Sequence, residues 1–416
     1  MIRRFSSVTF GGIISTVATY LLTVVLTHLL SVPEYGYIAR WLTDIGYVSI
    51  FFTLGLNSSM IYFTRYKINI SSSISINVIC YSIMLLIWII ASLAFDKYST
   101  YSFCLGLTVY FFSINEITRS KFQFDEDFGV FNFLVIFRPV LLLIVFSYLF
   151  LKGRQLLSDD AITYYTCVMA FSVVIYSAIF FRKGGRFRRI PPNFPVRSYM
   201  GYGAKSILNR LLSLTLYALS IYMISWLGQP EYVAYFFVAN SISKIAWVIP
   251  DSAGNILYPQ FIKAKSEDAK EKAIENMYTY AQLNFVLNLA ILIVFALLGQ
   301  WVIGLIYQET YQEAFIPTLI LLIGNQGMVY YKLFSRWHAS QNNWTHIYIA
   351  TLLGVIVNIV FNYLLIPRAG IIGGAIATGC AFWVCGIAIC RPIKGSFGAF
   401  LNIYNLISHK CPSIKE

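Results

Sequence analysis

Twelve long apolar runs dominate this chain, at 10–30, 38–62, 74–95, 101–118, 128–150, 161–181, 201–226, 232–257, 278–306, 317–337, 346–366 and 371–391. A bilayer core about 30 Å thick takes about 20 helical residues to cross. In hydrocarbon the backbone must satisfy its own hydrogen bonds, which leaves helices or closed barrels. Runs of this length lack the short alternating segments of a barrel strand, so they predict helices. Only 12% of the 416 residues are charged, against about 25% in a soluble domain. Twelve spans take up roughly 250 positions and leave no room for a water-soluble domain. The predicted fold class is an all-α polytopic membrane protein.

Charge placement sets the orientation. With the N-terminus on the cytoplasmic side, 21 Lys and Arg fall in cytoplasmic segments and 4 on the opposite side. That asymmetry is the positive-inside pattern, and it accounts for most of the net charge of +13 without nucleic acid. The predicted location is a bacterial inner membrane, with both termini cytoplasmic. The basic stretch 182–197, broken by three prolines, reads as a linker near the midpoint. The predicted organisation is a six-helix bundle over 1–181, the linker at 182–197, a second bundle over 198–391 and a cytoplasmic tail at 392–416. A second cytoplasmic stretch, 258–276, has mixed charges at helical spacing and reads as a short surface helix. The halves share a motif: Pro33-Glu34-Tyr35 follows the first span, and Pro230-Glu231-Tyr232 follows the seventh, 197 residues later. Parallel repeats around a site at mid-membrane are a transporter design.

Six basic residues remain inside spans: Arg40, Arg138, Lys205, Arg210, Lys244 and Lys332. Three acids accompany them, Asp44, Glu116 and Asp251. A charge at the bilayer centre costs roughly 2.5–3.5 kcal/mol on insertion scales, so its first reading is functional. Arg138, Arg210 and Lys244 lie roughly 14–18 Å from a membrane edge, beyond easy snorkelling. These three are the principal candidates for substrate binding, with Lys205, Arg40 and Lys332 as further ones. Arg40 and Asp44 share a helix face and also suit an intrahelical ion pair. Lys205, Glu116 and Lys332 lie near cytoplasmic ends, where snorkelling competes with a site role. Asp251 follows Pro250 and could brace Lys244. Asp44, Asp251 and Glu116 are the candidates for coupling to an ion.

Polar stripes give the charges a face: Asn240, Lys244, Trp247 and Asp251; Ser206, Arg210, Ser213 and Tyr217; Thr16, Tyr20, Thr23 and Thr27; Asn358 and Asn362. Each alone suits helix–helix glue. Together with three mid-depth cations they predict a shared water-filled cavity that attracts anions. No protease, hydrolase, P-loop, CxxC or dinucleotide motif is present. Asp125-Glu126-Asp127 reads as a solvated charge run, and the seven cysteines fit no metal or redox spacing. No cofactor, metal or catalytic role is predicted.

The opening stretch, with Pro33-Glu34-Tyr35-Gly36 and Leu54-Gly55-Leu56-Asn57 before a basic turn, resembles the start of Wzx-type O-antigen flippases. These form part of the polysaccharide exporter branch of the MOP superfamily. The stretch from Asn362 through Pro367, Gly370, Gly373 and Gly374 to Thr378 is similar to that superfamily's turn between its eleventh and twelfth helices. The resemblance implies two six-helix bundles around a central cavity that opens alternately to each side. It also implies a polyprenyl-pyrophosphate-linked oligosaccharide as substrate, handled among membrane lipids and other glycan-assembly membrane proteins. Cationic residues of the lumen carry over to Arg138, Arg210 and Lys244 by location. The alternatives are a sister transporter, either a peptidoglycan-precursor flippase or a drug exporter, and a membrane polymerase or ligase. Drug exporters for cations would carry acids at mid-membrane, and the short outer loops count against an enzyme.

Overall fold

The structure is a computed structural model that describes residues 2–64, 70–94, 99–125, 127–247, 250, 251, 253, 254, 257, 261, 266–341 and 343–390. The basic turns at Arg65–Lys67 and Lys263–Lys265, the tail at 392–416 and the side chain of Lys205 lie outside the described residues. The chain divides into two compact units, Met1–Leu211 and Leu212–Glu416.

The first unit holds α1 (Ile2–Leu29), α2 (Val32–Phe52), α3 (Leu56–Thr64), α4 (Ile70–Ala94), α5 (Thr100–Phe124), α6 (Phe128–Leu151), α7 (Ser158–Arg182) and the start of α8 (Val196–Leu227). The Pro-Glu-Tyr motif is a helix start: Pro33 occupies the first turn of α2, where its missing N–H costs nothing. Glu34 accepts the Ser158 amide at 2.6 Å, so one acid serves the positive ends of α2 and α7. The predicted second span breaks in two at Leu54 and Gly55, both at positive φ. A Cβ on Gly55 would stand 2.2 Å from the Gly203 carbonyl, so only glycine allows both the turn and the close crossing of α8. Tyr199 of α8 is fully buried there and donates to Asn77 at 2.8 Å. Thr108 meets Thr166 at 2.9 Å and Asn115 donates to Ser172 at 2.7 Å. That register sets α5 and α7 parallel, as alternate spans must be.

The second unit continues α8 and holds α9 (Pro230–Ser243), a 3-10 turn (Lys244–Trp247), α10 (Glu267–Tyr307), α11 (Phe315–Ser340) and α12 (Trp344–Cys390). Within the stretch predicted as a separate surface helix, residues 267–276 are instead the first turns of α10. With 41 residues, α10 runs about 60 Å, twice a bilayer core, so its charged end needs no break to stand clear of lipid. At Gly370 (φ 53°, ψ −129°) α12 folds back on itself, separating the two predicted final spans. Its arms are joined by buried polar groups: Ser220 of α8 bonds Asn358, Asn362 and Thr378. The Asn358–Asn362 stripe is therefore helix–helix glue. The threonine stripe of α1 is likewise satisfied at home, with Thr16, Thr23 and Thr27 donating to carbonyls of their own helix.

Among the described residues, eight helical segments are long and apolar enough to cross a bilayer, and α12 supplies two arms to one of them. The other predicted spans are the second, fourth and eighth. These carry Arg40 and Asp44, Glu116, and Lys244, respectively, and the second and eighth also change course partway along.

Without a hydrophobic force between helices in lipid, close backbone approach does the holding. A Cβ on Gly327 of α11 would lie 2.6 Å from the Trp383 Cα, and one on Gly386 would lie 2.4 Å from the Gly327 carbonyl. Gly327→Val should cost about 1–3 kcal/mol by overpacking and lower the melting temperature in detergent micelles. Gly12→Ala, with nothing within 4 Å of its Cβ, should leave that temperature unchanged or raise it.

The acidic run between α5 and α6 is structural. Asp125 pairs with Lys121, and Asp127 caps α6 by accepting the Val130 amide and pairs with Lys183 at 3.1 Å. Lys183 first, and the Val130 amide second, hold the Asp127 carboxyl below the usual carboxylate range. Its stabilisation is thus complete above the unfolded value of about 3.9 and is lost as pH falls through the lower folded value. Asp127→Ala should cost about 1 kcal/mol at neutral pH and flatten the acid side of the stability–pH curve.

Candidate functional site

The second unit assembles the densest group of intramembrane charges. Pro250 has no N–H to offer the Ala246 carbonyl, and its ring crowds that oxygen. The helix leaves its α pitch over this stretch: Lys244–Trp247 wind as a 3-10 turn. In that turn residues three apart eclipse, which stands the Lys244 ammonium over Trp247, 5.6 Å from the ring centroid. From α11, Lys332 reaches the same ring at 4.4 Å. The indole is fixed by its N–H donating to Asn325 at 2.8 Å, while Asn325 donates to the Ser243 carbonyl at 2.8 Å. Tyr217 and Phe382 pack around it at 5.0 and 6.0 Å. The ring holds two cations near its π system with the geometry of cation–π contacts.

Asp251 does not brace Lys244. Its carboxylate takes Lys332 at 2.7 Å and Arg336 at 3.5 Å, and its backbone carbonyl accepts Arg336 at 2.9 Å. Lys332 is 13% exposed and paired, so it does not snorkel. Arg336 falls outside the predicted site because it sits near the end of a span in a basic context. Its signal was the four-residue spacing from Lys332, which puts both on one helix face. Gly254 makes room for it: a Cβ there would lie 1.6 Å from the Arg336 Nη1. Lys244 makes no ion pair among the described residues.

The first unit holds the other mid-depth cations. Arg138 precedes Pro139 inside α6, and its guanidinium lies over the Phe112 ring of α5 at 5.0 Å. One turn before Pro139, the Tyr176 hydroxyl donates to the Leu134 carbonyl. Pro139 has no N–H for the neighbouring carbonyl of Val135, one residue on from Leu134. Arg210 stands half-buried on α8. Neither arginine makes an ion pair among the described residues. Glu116 pairs with Arg119 one turn along α5, and Asp44 accepts the Tyr101 hydroxyl. Arg40, itself exposed between buried Ala39 and Trp41, lies one turn before Asp44 on α2. The acids are thus engaged, while Arg138, Arg210 and Lys244 have no carboxylate partner among the described residues. Among the described residues no three His, Cys, Asp or Glu side chains are grouped to hold a metal ion.

The dependence of Arg336 on Gly254 is testable by a double-mutant cycle. Gly254→Ala should lower the melting temperature in detergent, and in an Arg336→Ala background the same change should cost less than half as much. Equal costs in both backgrounds would show that Gly254 matters for another reason.

Residues 25–316, more than half of the chain, match the family model described as Polysaccharide biosynthesis protein. No curated protein matches the chain by sequence. Among solved structures the chain is similar to the lipid II flippase MurJ in an inward closed conformation, with TM-score 0.76, 12% identity, and coverage of 97% of this chain and 90% of that one. It is also similar to a multidrug resistance MATE family transporter of the MOP superfamily in an inward-facing conformation, with TM-score 0.72, 14% identity and 95% of each chain covered. A MATE transporter of Vibrio cholerae matches with TM-score 0.61 and 13% identity over 98% of this chain and 99% of that one. These likenesses establish the MATE-like fold. The chain belongs to the Polysaccharide biosynthesis protein family.

Proposed function

We propose that this protein is a flippase that moves a polyprenyl-pyrophosphate-linked oligosaccharide across the bacterial inner membrane by alternating access. The observation that carries the reading is the excess of unpaired positive charge at mid-membrane. Arg138, Arg210 and Lys244 make no ion pair among the described residues, and the in-span acids are already engaged. Three cations in hydrocarbon without carboxylates are tolerable where water or an anionic ligand reaches them. A pyrophosphate-linked sugar supplies that anion, and Arg and Lys give its oxygens charge-assisted hydrogen bonds. The isoprenoid tail stays in the bilayer. Family membership in polysaccharide biosynthesis supports a glycan cargo, and the transporter fold supports movement rather than bond-making.

The lipid II cargo of the structurally similar MurJ makes a peptidoglycan precursor the second reading, since it also carries a pyrophosphate. A cationic drug is disfavoured by the charge balance at mid-membrane. O-antigen or a related surface glycan is the cargo proposed here, with both chain ends on the cytoplasmic side in keeping with the loop charges.

In cells that express the protein, Arg138→Ala and Arg210→Ala should each abolish surface glycan display while leaving protein levels in the membrane intact. Undiminished display in both variants would overturn the proposal. Rescue of cells that lack their peptidoglycan-precursor flippase would favour the second reading.

A further inference from the structure

The basic stretch between α7 and α8 is a folded surface and not a loose tether. Gly184 (φ 77°) turns the chain at the end of α7, and the Gly185 amide returns to the Phe180 carbonyl at 2.8 Å. A Cβ on Gly185 would stand 2.6 Å from the Phe180 ring, so the turn closes tightly on that side chain. Farther on, the Arg188 amide donates to the Ser75 hydroxyl at 3.2 Å, and the Ser72 hydroxyl donates to the Arg189 carbonyl at 3.3 Å. Both serines stand in the first turns of α4. Phe194 is then buried beside Tyr199, with ring centroids 5.3 Å apart. The stretch is thus pinned where α7 ends and α4 begins. Both helices are long and apolar enough to cross a bilayer, which puts their shared end at a membrane surface.

The charge on this surface has one sign. Residues 182–197 hold six Lys and Arg and no Asp or Glu. Lys183 is taken by Asp127 at 3.1 Å. Arg182, Arg186, Arg188 and Arg189 are exposed and make no ion pair among the described residues. Among them stand Phe181 and Phe187, each 54% exposed, with ring centroids 5.9 Å apart. The first turn of α4 adds the positive end of a helix dipole. Retention of basic residues on one side of a membrane accounts for the charge, but not for the exposed ring pair or the pinned backbone. Arginine beside exposed aromatic rings suits a lipid surface: rings enter the boundary between headgroups and acyl chains, and guanidinium groups take phosphate oxygens in pairs.

We propose that this surface binds the headgroup of an anionic phospholipid. Arg182, Arg186, Arg188 and Arg189 supply its phosphate contacts, and Phe181 and Phe187 seat the surface among the upper acyl carbons. A zwitterionic headgroup carries its own cation and gains less there. The pinned backbone holds the arginines in place beforehand, which lowers the ordering cost of binding. This inference goes beyond the cargo reading and does not rest on it.

The test is isothermal titration of the purified full-length protein in detergent micelles with dihexanoyl phosphatidylglycerol and, separately, with dihexanoyl phosphatidylcholine. Phosphatidylglycerol should bind more tightly, and added NaCl should erode the difference. Arg186→Gln and Arg188→Gln should each weaken phosphatidylglycerol binding about fivefold, the scale of one basic residue at an anionic surface. Lys152→Gln with Arg154→Gln, which removes two exposed cations from the turn between α6 and α7, should leave it unchanged. Equal binding of the two lipids by the parent would overturn the proposal. So would parent-like affinity in both single arginine variants, or an equal loss in the Lys152 and Arg154 control. The singles carry the test because they keep the backbone amide and carbonyl that pin the stretch. Tighter binding of farnesyl diphosphate than of phosphatidylglycerol, lost in the same arginine variants, would assign the surface to a diphosphate cargo and sink the phospholipid assignment.

Discussion

A polypeptide in hydrocarbon has no water to complete its hydrogen bonds or to shield its charges. Each helix of this protein is a response to the first half of that condition, and each buried charge needs an answer to the second. Where the backbone departs from regular helix, something local compensates. Pro139 withholds one amide from α6 near a carbonyl that Tyr176 serves. Pro250 forces a 3-10 turn, and Arg336 reaches across to bond the Asp251 carbonyl just beyond it. Irregular backbone at membrane depth survives where protein groups or a wet cavity take over its hydrogen bonds.

The broken segment after α9 gathers ion pairs and cation–π contacts. A regular helix would present Lys244 and Asp251 in a simple stripe and invite them to pair. The tightened turn instead stacks Lys244 over Trp247 and lets Asp251 face α11, where Lys332 and Arg336 wait one turn apart. Pairing Asp251 there leaves Lys244 without a carboxylate partner among the described residues. One break in helical pitch thus separates the Asp251 ion pairs from Lys244, which rests on the Trp247 ring. Small residues make the supporting geometry possible. Gly254 clears the path of Arg336, and Gly327 with Gly386 lets α11 and α12 approach closely.

Much of the fold was legible in hydropathy, because twenty apolar residues in a row have few other options. The three mid-depth cations were legible too, since their expense makes them conspicuous among Leu, Ile and Phe. The threonines of α1 and the asparagines of α12 were harder, because a polar side chain in a helix reads the same from outside whether it bonds its own carbonyl, a neighbouring helix or water. They bond their own helix and their neighbours. Arg336 went unseen because a basic residue near a helix end has an easy alternative in the headgroup region, and only its partner on another segment reveals the role it plays. The acidic run at 125–127 was read as solvated charge; Asp127 turns out to be a cap whose partners, Val130 and Lys183, lie three and fifty-six residues away.

The amino-acid order alone determined that this chain crosses a membrane many times and that cations stand within its apolar runs. Those properties follow from local transfer energies, which depend on what a residue is and on its immediate neighbours. Tertiary structure decided which acid answers which base, that Lys332 and Arg336 share Asp251 while Lys244 does not, and that a tryptophan lies beneath both lysines. Such choices hang on contacts between segments some eighty residues apart, and electrostatic energy in a low-dielectric interior changes steeply over the few ångströms that only packing can set.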